Sequence, residues 1–324
     1  MIQVSIGLPF FSNQKTLADA IRSVFAQTLW DWELILVDDG STDGSLALAR
    51  SIRDPRVRLV SDGMNRGLAS RLNQIAGLAR GRYLARLDGD DMMHPDRLAR
   101  QIAALESNPG VDMAGTAMYS LDRSDRPRGI QGRTRPDTRP IAVLTHALLL
   151  HATITARTEW FRRNPYDESR RRTEDRELFI RTFRNLSFVH LADALYFCRE
   201  ELSVRLDKYL ASGQETRSLF LQYGPEMVGR PRATALCLAS RLKGEIYRLC
   251  MHLHAEQYLV RRRSTPLTEE QTRVAAGIIE RIRSTPVPGL PLISPHAARE
   301  WVFSGRSDLP IDLHQGRVER GPVA

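Results

Sequence analysis

Cysteine is scarce in this sequence, which has three at widely separated positions among 324 residues. Such a set does not predict a disulfide framework and fits a reducing compartment. The first residues lack the basic flank, apolar core and cleavage site of a signal peptide. The longest apolar-leaning run, residues 141–156, is shorter than the ~20 residues that a spanning helix requires. We therefore expect a cytoplasmic protein.

The glycine motifs that commonly bind phosphates are also absent. No G-x-G-x-x-G follows the first predicted strand, and the P-loop pattern G-x-x-x-x-G-K-[ST] occurs nowhere. Both observations argue against a dinucleotide-dependent dehydrogenase and a P-loop enzyme. Zinc-finger spacing and RNP-type strands are missing too, so nucleic acid is not an expected partner.

Charge is unbalanced toward arginine, with a formal net charge of +9 and a pI near 9.9. A basic surface favours an anionic partner such as a nucleotide, a phosphorylated lipid or a membrane face. The alternative is that the arginines pair with local acids.

Apolar runs alternate with helical periodicity through the first hundred residues. Short strands are predicted at 4–8, 33–37, 57–60 and from Tyr83, separated by helices at 16–27, 44–52 and 68–79. The order β-α-β-α-β-α-β predicts an α/β fold with a mostly parallel sheet, flanked by helices and joined by right-handed crossovers.

Aspartates follow two of these strands directly. Asp38 and Asp39 come after the second strand, and Asp88, Asp90 and Asp91 come after the fourth. Parallel strands share their carboxyl ends, and open α/β sheets bind ligands at that edge. We therefore expect both acidic clusters to contribute to one site.

Carboxylates so close together repel one another unless a cation compensates them. Mg²⁺ or Mn²⁺ prefers oxygen ligands and commonly binds through one or two carboxylates plus substrate phosphates. The alternative is a solvated acidic turn before the helix that is predicted to begin near Pro95.

The order of motifs resembles that of the family 2 glycosyltransferases, which have the GT-A fold. The resemblance covers roughly the first two hundred residues. The matching positions are Pro9, Phe11, Ser23, Val24 and Gln27, then 38–43, then Asn65, Gly67, Ala79, Gly81 and Tyr83, and finally 87–91. Two positions depart from the family pattern, where Ser12 replaces an asparagine and Leu72 replaces an arginine.

The resemblance implies a role for each acidic cluster. Asp39 would bind the base of a nucleotide diphosphate sugar, and Phe11 would stack on it. Asp88 and Asp90 would form the D-x-D metal pair. The remaining positions implied to bind or shape the donor site are Pro9, Asp38, Asn65, Gly67 and Asp91.

Further along, Glu174 and Asp175 open a predicted helix behind Thr173, a potential N-cap. By the resemblance Asp175 is the catalytic base, which an inverting transfer needs to deprotonate the acceptor hydroxyl. The alternative is plain acidic charge at a helix N-terminus. Arg170, Arg171 and Arg172 could neutralise an anionic acceptor or form a solvated basic face.

The second half is less regular. Strands are expected at 112–118 and 119–122, at 151–156, and at 188–191 and 194–197, with 122–139 as a mobile loop. We divide the chain into a GT-A nucleotide-sugar-binding and catalytic domain (1–205), a helical extension (206–284) and a loosely ordered tail rich in Pro, Gly and Arg (285–324). The extension carries an apolar face with basic flanks, which could pack on the core, contact a membrane or form a dimer.

We therefore predict an inverting, metal-dependent glycosyltransferase of cell-surface polysaccharide assembly, located in the cytoplasm or peripherally at the inner face of the membrane. Its acceptor would be a saccharide or a lipid-linked sugar. The alternatives are a sugar-nucleotide hydrolase or nucleotidyltransferase, and a non-catalytic nucleotide-sugar-binding membrane adaptor.

Overall fold

The computed structural model describes residues 2–199, 206–253, 264–291 and 318–320. Its first part is the predicted alternation of strands and helices. The elements in chain order are β1 (Val4–Phe10), α1 (Leu17–Phe25), β2 (Trp32–Asp38), α2 (Ser45–Ser51), β3 (Val57–Ser61), α3 (Leu68–Leu78) and β4 (Tyr83–Arg86). The four strands are parallel in the order β4-β1-β2-β3, which confirms the predicted topology.

The parallel strands are mostly apolar because helices cover both faces of the sheet. Every residue of β1, β2 and β4 is buried. Helix α3 lies so close to β1 that a Cβ added to Gly7 would be 2.4 Å from the Ile75 Cγ2 atom. This close packing holds the carboxyl ends of the strands in fixed relative positions.

The sheet then continues with strands of mixed direction. The next elements are β5 (Met92–Met93), α4 (Arg97–Glu106), β6 (Met113–Leu121), β7 (Pro127–Gln131), α5 (Pro140–Thr145), β8 (Thr155–Arg157), α6 (Thr158–Arg163), α7 (Glu174–Thr182) and β9 (Ser187–Arg199). Strand β8 joins the halves, because it is antiparallel to both β4 and β6. Strand β9 is parallel to β6 and antiparallel to β5.

Several predicted boundaries in this half were wrong. Residues 113–121 form one strand where a turn between two strands was expected. The predicted loop 122–139 contains β7, which pairs antiparallel with β6 to form a hairpin. Asp122 accepts hydrogen bonds from the backbone N–H groups of Ser124 and Arg126, so the polar residues that suggested a loop build the hairpin turn.

Two further predicted boundaries differ from those of the structure. The expected strand at 151–156 begins as a short 3-10 helix, His151–Thr153, and becomes extended only at β8. The two strands expected at 188–191 and 194–197 are the single strand β9, whose central residues 192–193 are exposed. The exposed Asp193 resembles a turn residue in the sequence, but β9 continues because β5 and β6 pair with it.

The C-terminal elements are α8 (Leu206–Val228), α9 (Arg230–His252), β10 (Thr265–Pro266), α10 (Glu269–Arg283) and β11 (Val318–Arg320). Helices α8 and α9 pack on each other, and α8 also contacts α5 and α7. The division of the chain at residues 205 and 284 stays a prediction. Much of the predicted tail, and residues 254–263 of the predicted extension, lie outside the described residues.

Within the ranges that the structure describes, no helix is both long enough and apolar enough to span a bilayer.

Candidate active site

The loop after β1 connects the two acidic clusters. On one side, the backbone N–H of Ser12 donates to the Ser41 hydroxyl at 3.0 Å. On the other side, the Thr16 hydroxyl donates to the carbonyl of Gly89 at 3.1 Å. A Cβ at Gly89 would be 2.8 Å from the Asn13 Oδ1 atom, so the acidic loop after β4 lies directly against this segment. The loops that follow β1, β2 and β4 therefore meet at one edge of the sheet, as predicted.

Asp39 is held by three donors at the carboxyl end of β2. Its carboxylate accepts hydrogen bonds from the backbone N–H groups of Arg66 and Gly67, at 2.7 and 3.1 Å, and from the Arg71 Nε atom at 2.9 Å. Gly67 has φ +86°, a conformation that favours glycine. A glycine at position 67 thus has a structural role, because this conformation directs its backbone N–H toward Asp39.

Arg71 is a site residue that the sequence did not single out. It is fully buried and donates to Asp39, to both oxygens of Asp62 and to the Met64 carbonyl. These bonds join the end of β2 to the loop before α3. An arginine at this position gives no distinctive signal in one sequence, because its partners are brought together only by the folded chain.

The other predicted donor-site residues have different surroundings. Both carboxylate oxygens of Asp38 are bonded within the protein, to the Ser41 N–H at 3.0 Å and the Ser61 hydroxyl at 2.8 Å. Pro9 lies within the buried strand β1, opposite Val37. Phe11 and Asn65 are exposed, which leaves both side chains accessible to a ligand.

The loop after β4 places three carboxylates in different environments. Asp88 accepts a 2.6 Å hydrogen bond from the Arg86 guanidinium, and the backbone N–H of Arg199 donates to Asp91 at 2.9 Å. Asp91 is buried, and burial together with the neighbouring carboxylates raises its pKa well above the usual value. Reduced hydration and the charge of Asp88 also raise the pKa of Asp90. The loop therefore carries an excess of negative charge.

This excess suits a hard cation. Asp88 and Asp90 supply oxygen donors, and burial together with the charge of Asp88 raises the pKa of Asp90, an effect that a bound cation would oppose. No group of three His, Cys, Asp or Glu side chains lies close enough to ligate a metal within the described part of the chain. The residues present fit a divalent ion that takes two protein carboxylates and completes its shell with substrate oxygens and water.

Helix α7 begins at Glu174, and Thr173 stands at its N-cap position as expected. The expected capping bond is absent, because the Thr173 hydroxyl instead donates to the Glu215 carboxylate on α8 at 3.0 Å. Burial raises the pKa of Asp175, whose carboxylate accepts a 2.7 Å bond from the Arg176 N–H. Burial and the charge of Asp175 raise the pKa of Glu174 in turn.

Arg86 links this helix to the acidic loop, and the sequence had not singled it out. Its guanidinium is buried, bonds to Asp88 and interacts electrostatically with Glu174 and Asp175. Arg86 Nε and Glu174 Oε2 are buried and lack hydrogen-bond partners among the described residues. The predicted metal pair and the predicted base thus lie around one cation, Arg86.

An open sheet of this topology, with acidic loops at the carboxyl ends of β2 and β4 and a carboxylate pair opening α7, defines a GT-A type transferase fold. The model of the family described as "Glycosyl transferase family 2" matches residues 5–186, more than half of the chain. The chain therefore belongs to glycosyltransferase family 2 and is a glycosyltransferase, which confirms the predicted family and enzyme class.

Curated relatives include a bacterial putative glycosyltransferase and a bacterial succinoglycan biosynthesis protein. The chain is 35% identical over 208 residues to the putative glycosyltransferase EpsE of Bacillus subtilis, an alignment that covers 61% of this chain and 73% of EpsE. It is 39% identical over 122 residues to the succinoglycan biosynthesis protein ExoO of Rhizobium meliloti, an alignment that covers 38% of this chain and 33% of ExoO.

Solved structures show the same fold at low sequence identity. S. aureus TarS 1–349 superposes with a TM-score of 0.56 at 17% identity, covering 87% of this chain and 83% of that one. The mannosyltransferase PcManGT from Pyrobaculum calidifontis, solved in complex with GDP-Man and Mn²⁺, superposes with a TM-score of 0.52 at 15% identity, covering 86% of this chain and 85% of that one. These similarities confirm the predicted fold class.

Proposed function

We propose that this protein transfers a sugar, with inversion and with a divalent cation, from a nucleotide diphosphate sugar to an acceptor hydroxyl. The observation that carries the proposal is the position of Arg86 between two sets of carboxylates, Asp88 in the acidic loop and the Glu174–Asp175 pair that opens α7. Through a bound cation, the carboxylates of the acidic loop would hold the diphosphate of a donor. The carboxylates at the start of α7 would accept the proton of an attacking hydroxyl.

The donor would extend along the carboxyl edge of the sheet from β2 toward β4. Asp39, fixed by Gly67 and Arg71, would accept a hydrogen bond from the base, and the exposed ring of Phe11 would stack on it. TarS 1–349 has been solved in complex with UDP-GlcNAc and PcManGT with GDP-Man, so proteins of this fold hold nucleotide sugars with different bases.

Asp88 and Asp90 would hold Mg²⁺ or Mn²⁺. When bound, such an ion stabilises the negative charge that develops on the leaving nucleoside diphosphate. Asp91 supports the loop through its bond to Arg199, which keeps the two predicted ligands in position.

Asp175 would remove the proton from the acceptor hydroxyl as it attacks. A carboxylate whose pKa is raised by burial is a stronger base than an ordinary aspartate, and positioned general bases contribute roughly 10²- to 10⁴-fold in rate. Glu174 Oε2, buried beside it without a partner among the described residues, would accept a hydrogen bond from a substrate hydroxyl. The site thus offers one carboxylate for the proton and another for orientation.

The acceptor would be a saccharide or a lipid-linked sugar of cell-surface polysaccharide assembly. A relative from Escherichia coli, 33% identical over 105 residues, is the glucosyltransferase WfgD. Its name gives GlcNAc-diphosphoundecaprenol as the acceptor. We place the protein in the cytoplasm, peripherally at the inner face of the membrane. The exposed side chains of Arg171 and Arg172, just before α7, would compensate the diphosphate of such an acceptor.

Product analysis tests the proposal. UDP-, GDP- and dTDP-sugars would be incubated with the protein and a lipid-linked or saccharide acceptor, with Mn²⁺ or with chelator. We expect a glycoside of inverted anomeric configuration that forms only with metal. Release of free sugar or pyrophosphate without a glycoside would contradict the proposal and favour a hydrolase or a nucleotidyltransferase.

A further inference from the structure

One face of α9 packs against α8 through small residues and one aromatic pair. Ala233 and Gly244 of α9 are buried, and a Cβ added to Gly224 of α8 would be 2.7 Å from the Ala233 Cβ. Near the other end of the helix pair, the rings of Tyr209 and Tyr247 stack with centroids 3.7 Å apart. The orientation of α9 about its own axis is therefore well defined.

The opposite face of α9 and its C-terminal turn exposes a continuous apolar stripe. Its five members are each between 49% and 64% exposed, and they are Leu238, Leu242, Ile246, Leu249 and Leu253. Steps of three and four residues place them within roughly 80° of arc at 100° per residue, over roughly 22 Å of helix. Singly exposed leucines are ordinary on a protein surface, whereas an aligned row of this length marks an interaction surface.

Basic side chains border this stripe. On the helical wheel Arg241 and Arg248 lie along one side of it and Lys243 lies along the other, all exposed. Helix α9 has five basic residues and one acidic residue, Glu245, which pairs with Arg248. An apolar strip between cationic rims matches an anionic bilayer surface, where the strip enters the acyl boundary and the rims contact lipid headgroups.

We propose that α9 is the membrane-contact surface of this protein, lying in the plane of an anionic lipid bilayer. A second copy of the chain is a poorer occupant, because apposing two such stripes brings their arginine and lysine rims together. No described helix can cross a bilayer, so α9 would lie on the membrane and not span it. The inference goes beyond the proposed transfer, and its binding test does not require activity.

The hairpin of α8 and α9 is attached firmly to the catalytic region. Arg170 donates to Gln222 of α8 at 2.8 Å, and the Tyr223 hydroxyl of α8 donates to Glu177 of α7 at 2.6 Å. Thr173, next to the Glu174–Asp175 pair, is bonded to Glu215 of the same helix. A bilayer bound at α9 would therefore hold α7 at a fixed position relative to the membrane surface.

Vesicle flotation of the full chain tests the proposal, using phosphatidylcholine vesicles with and without phosphatidylglycerol. We expect binding to the anionic vesicles, weakened by salt. The double variant Leu242→Glu, Leu249→Glu should lose at least tenfold in apparent affinity, and Arg241→Gln or Lys243→Gln about fivefold each. The matched control is Leu221→Glu, an equally exposed leucine on α8 outside the stripe, which should bind like the unmodified chain.

Circular dichroism and thermal unfolding confirm that each variant is folded, and sedimentation velocity reports self-association. Absence of binding by the unmodified chain would overturn the proposal, as would equal loss in the stripe variant and the Leu221→Glu control. A dimer that dissociates in Leu242→Glu, Leu249→Glu, with no vesicle binding, would assign the face to a second copy and also overturn it.

Discussion

Arg86 donates a 2.6 Å hydrogen bond to Asp88, and its positive charge also acts on Asp175 at the start of α7. The guanidinium is buried, so the pair is shielded from water on the arginine side. This one side chain joins the end of β4 to the helix that carries the proposed base. The proposed metal site and the proposed base therefore depend on each other structurally.

Replacing Arg86 should be costly. Arg86→Met leaves the Asp88 and Glu174 carboxylates without their buried cation, and we expect the free energy of unfolding to fall by about 2–4 kcal/mol. Urea denaturation measures this. The control is Arg82→Met, which removes an exposed pair with Glu106 worth about 0–1 kcal/mol. Equal losses in the free energy of unfolding would show that Arg86 stabilises the protein no more than an exposed ion pair does.

His94 should make stability depend on pH. Burial lowers its folded-state pKa to about 4, whereas an unfolded histidine has a pKa near 6.5. Between these values the unfolded chain binds the extra proton, so stability falls as pH drops from about 6.5 toward 4, by up to about 3 kcal/mol. Urea denaturation at several pH values should show a shallower fall in His94→Gln. The same slope in both proteins would refute the assignment.

We expect Arg283 of helix α10 to stabilise the acidic loop after β4. Arg283 bonds to Asp19 and Asp125, and Arg199 bonds to the same two aspartates and to the Asp90 carbonyl. Removing Arg283 leaves Asp125 paired with Arg199, and Asp19 paired with Arg199 and, at 3.7 Å, with Arg22. We expect Arg283→Met to lose about 1–2 kcal/mol of stability and to weaken Mn²⁺ binding measured by electron paramagnetic resonance.

The matched control for this variant is Arg281→Met, an exposed arginine on the same helix. It should change neither stability nor metal binding. If Arg283→Lys does not restore part of the loss, or if Arg281→Met matches Arg283→Met, the bracing role is wrong.

The parallel half of the fold was predictable because each step is local. An apolar strand such as β2, an aspartate at its end and a periodic helix are all visible within a short window of sequence. The positions of Asp39 and Asp88 at one edge then follow from strand direction alone. The GT-A class and the enzyme class were predicted from these motifs and are confirmed.

The arginines that organise the site were not predictable in the same way. Arg71 contacts Asp39, and Arg86 interacts with Glu174, across long stretches of sequence. Many arginines in this chain look alike until folding selects their partners. The strands β7 and β9 were missed or divided for a related reason, since pairing with neighbouring strands overrides their polar residues.

The assignment of Asp175 is tested most directly by comparing donor binding with turnover in Asp175→Asn. With the preferred nucleotide sugar and Mn²⁺, we expect the donor dissociation constant to stay within about threefold, since a neutral isostere preserves shape. The turnover number should fall roughly 10²- to 10⁴-fold. A variant that binds donor and transfers sugar at the unmodified rate would contradict the account.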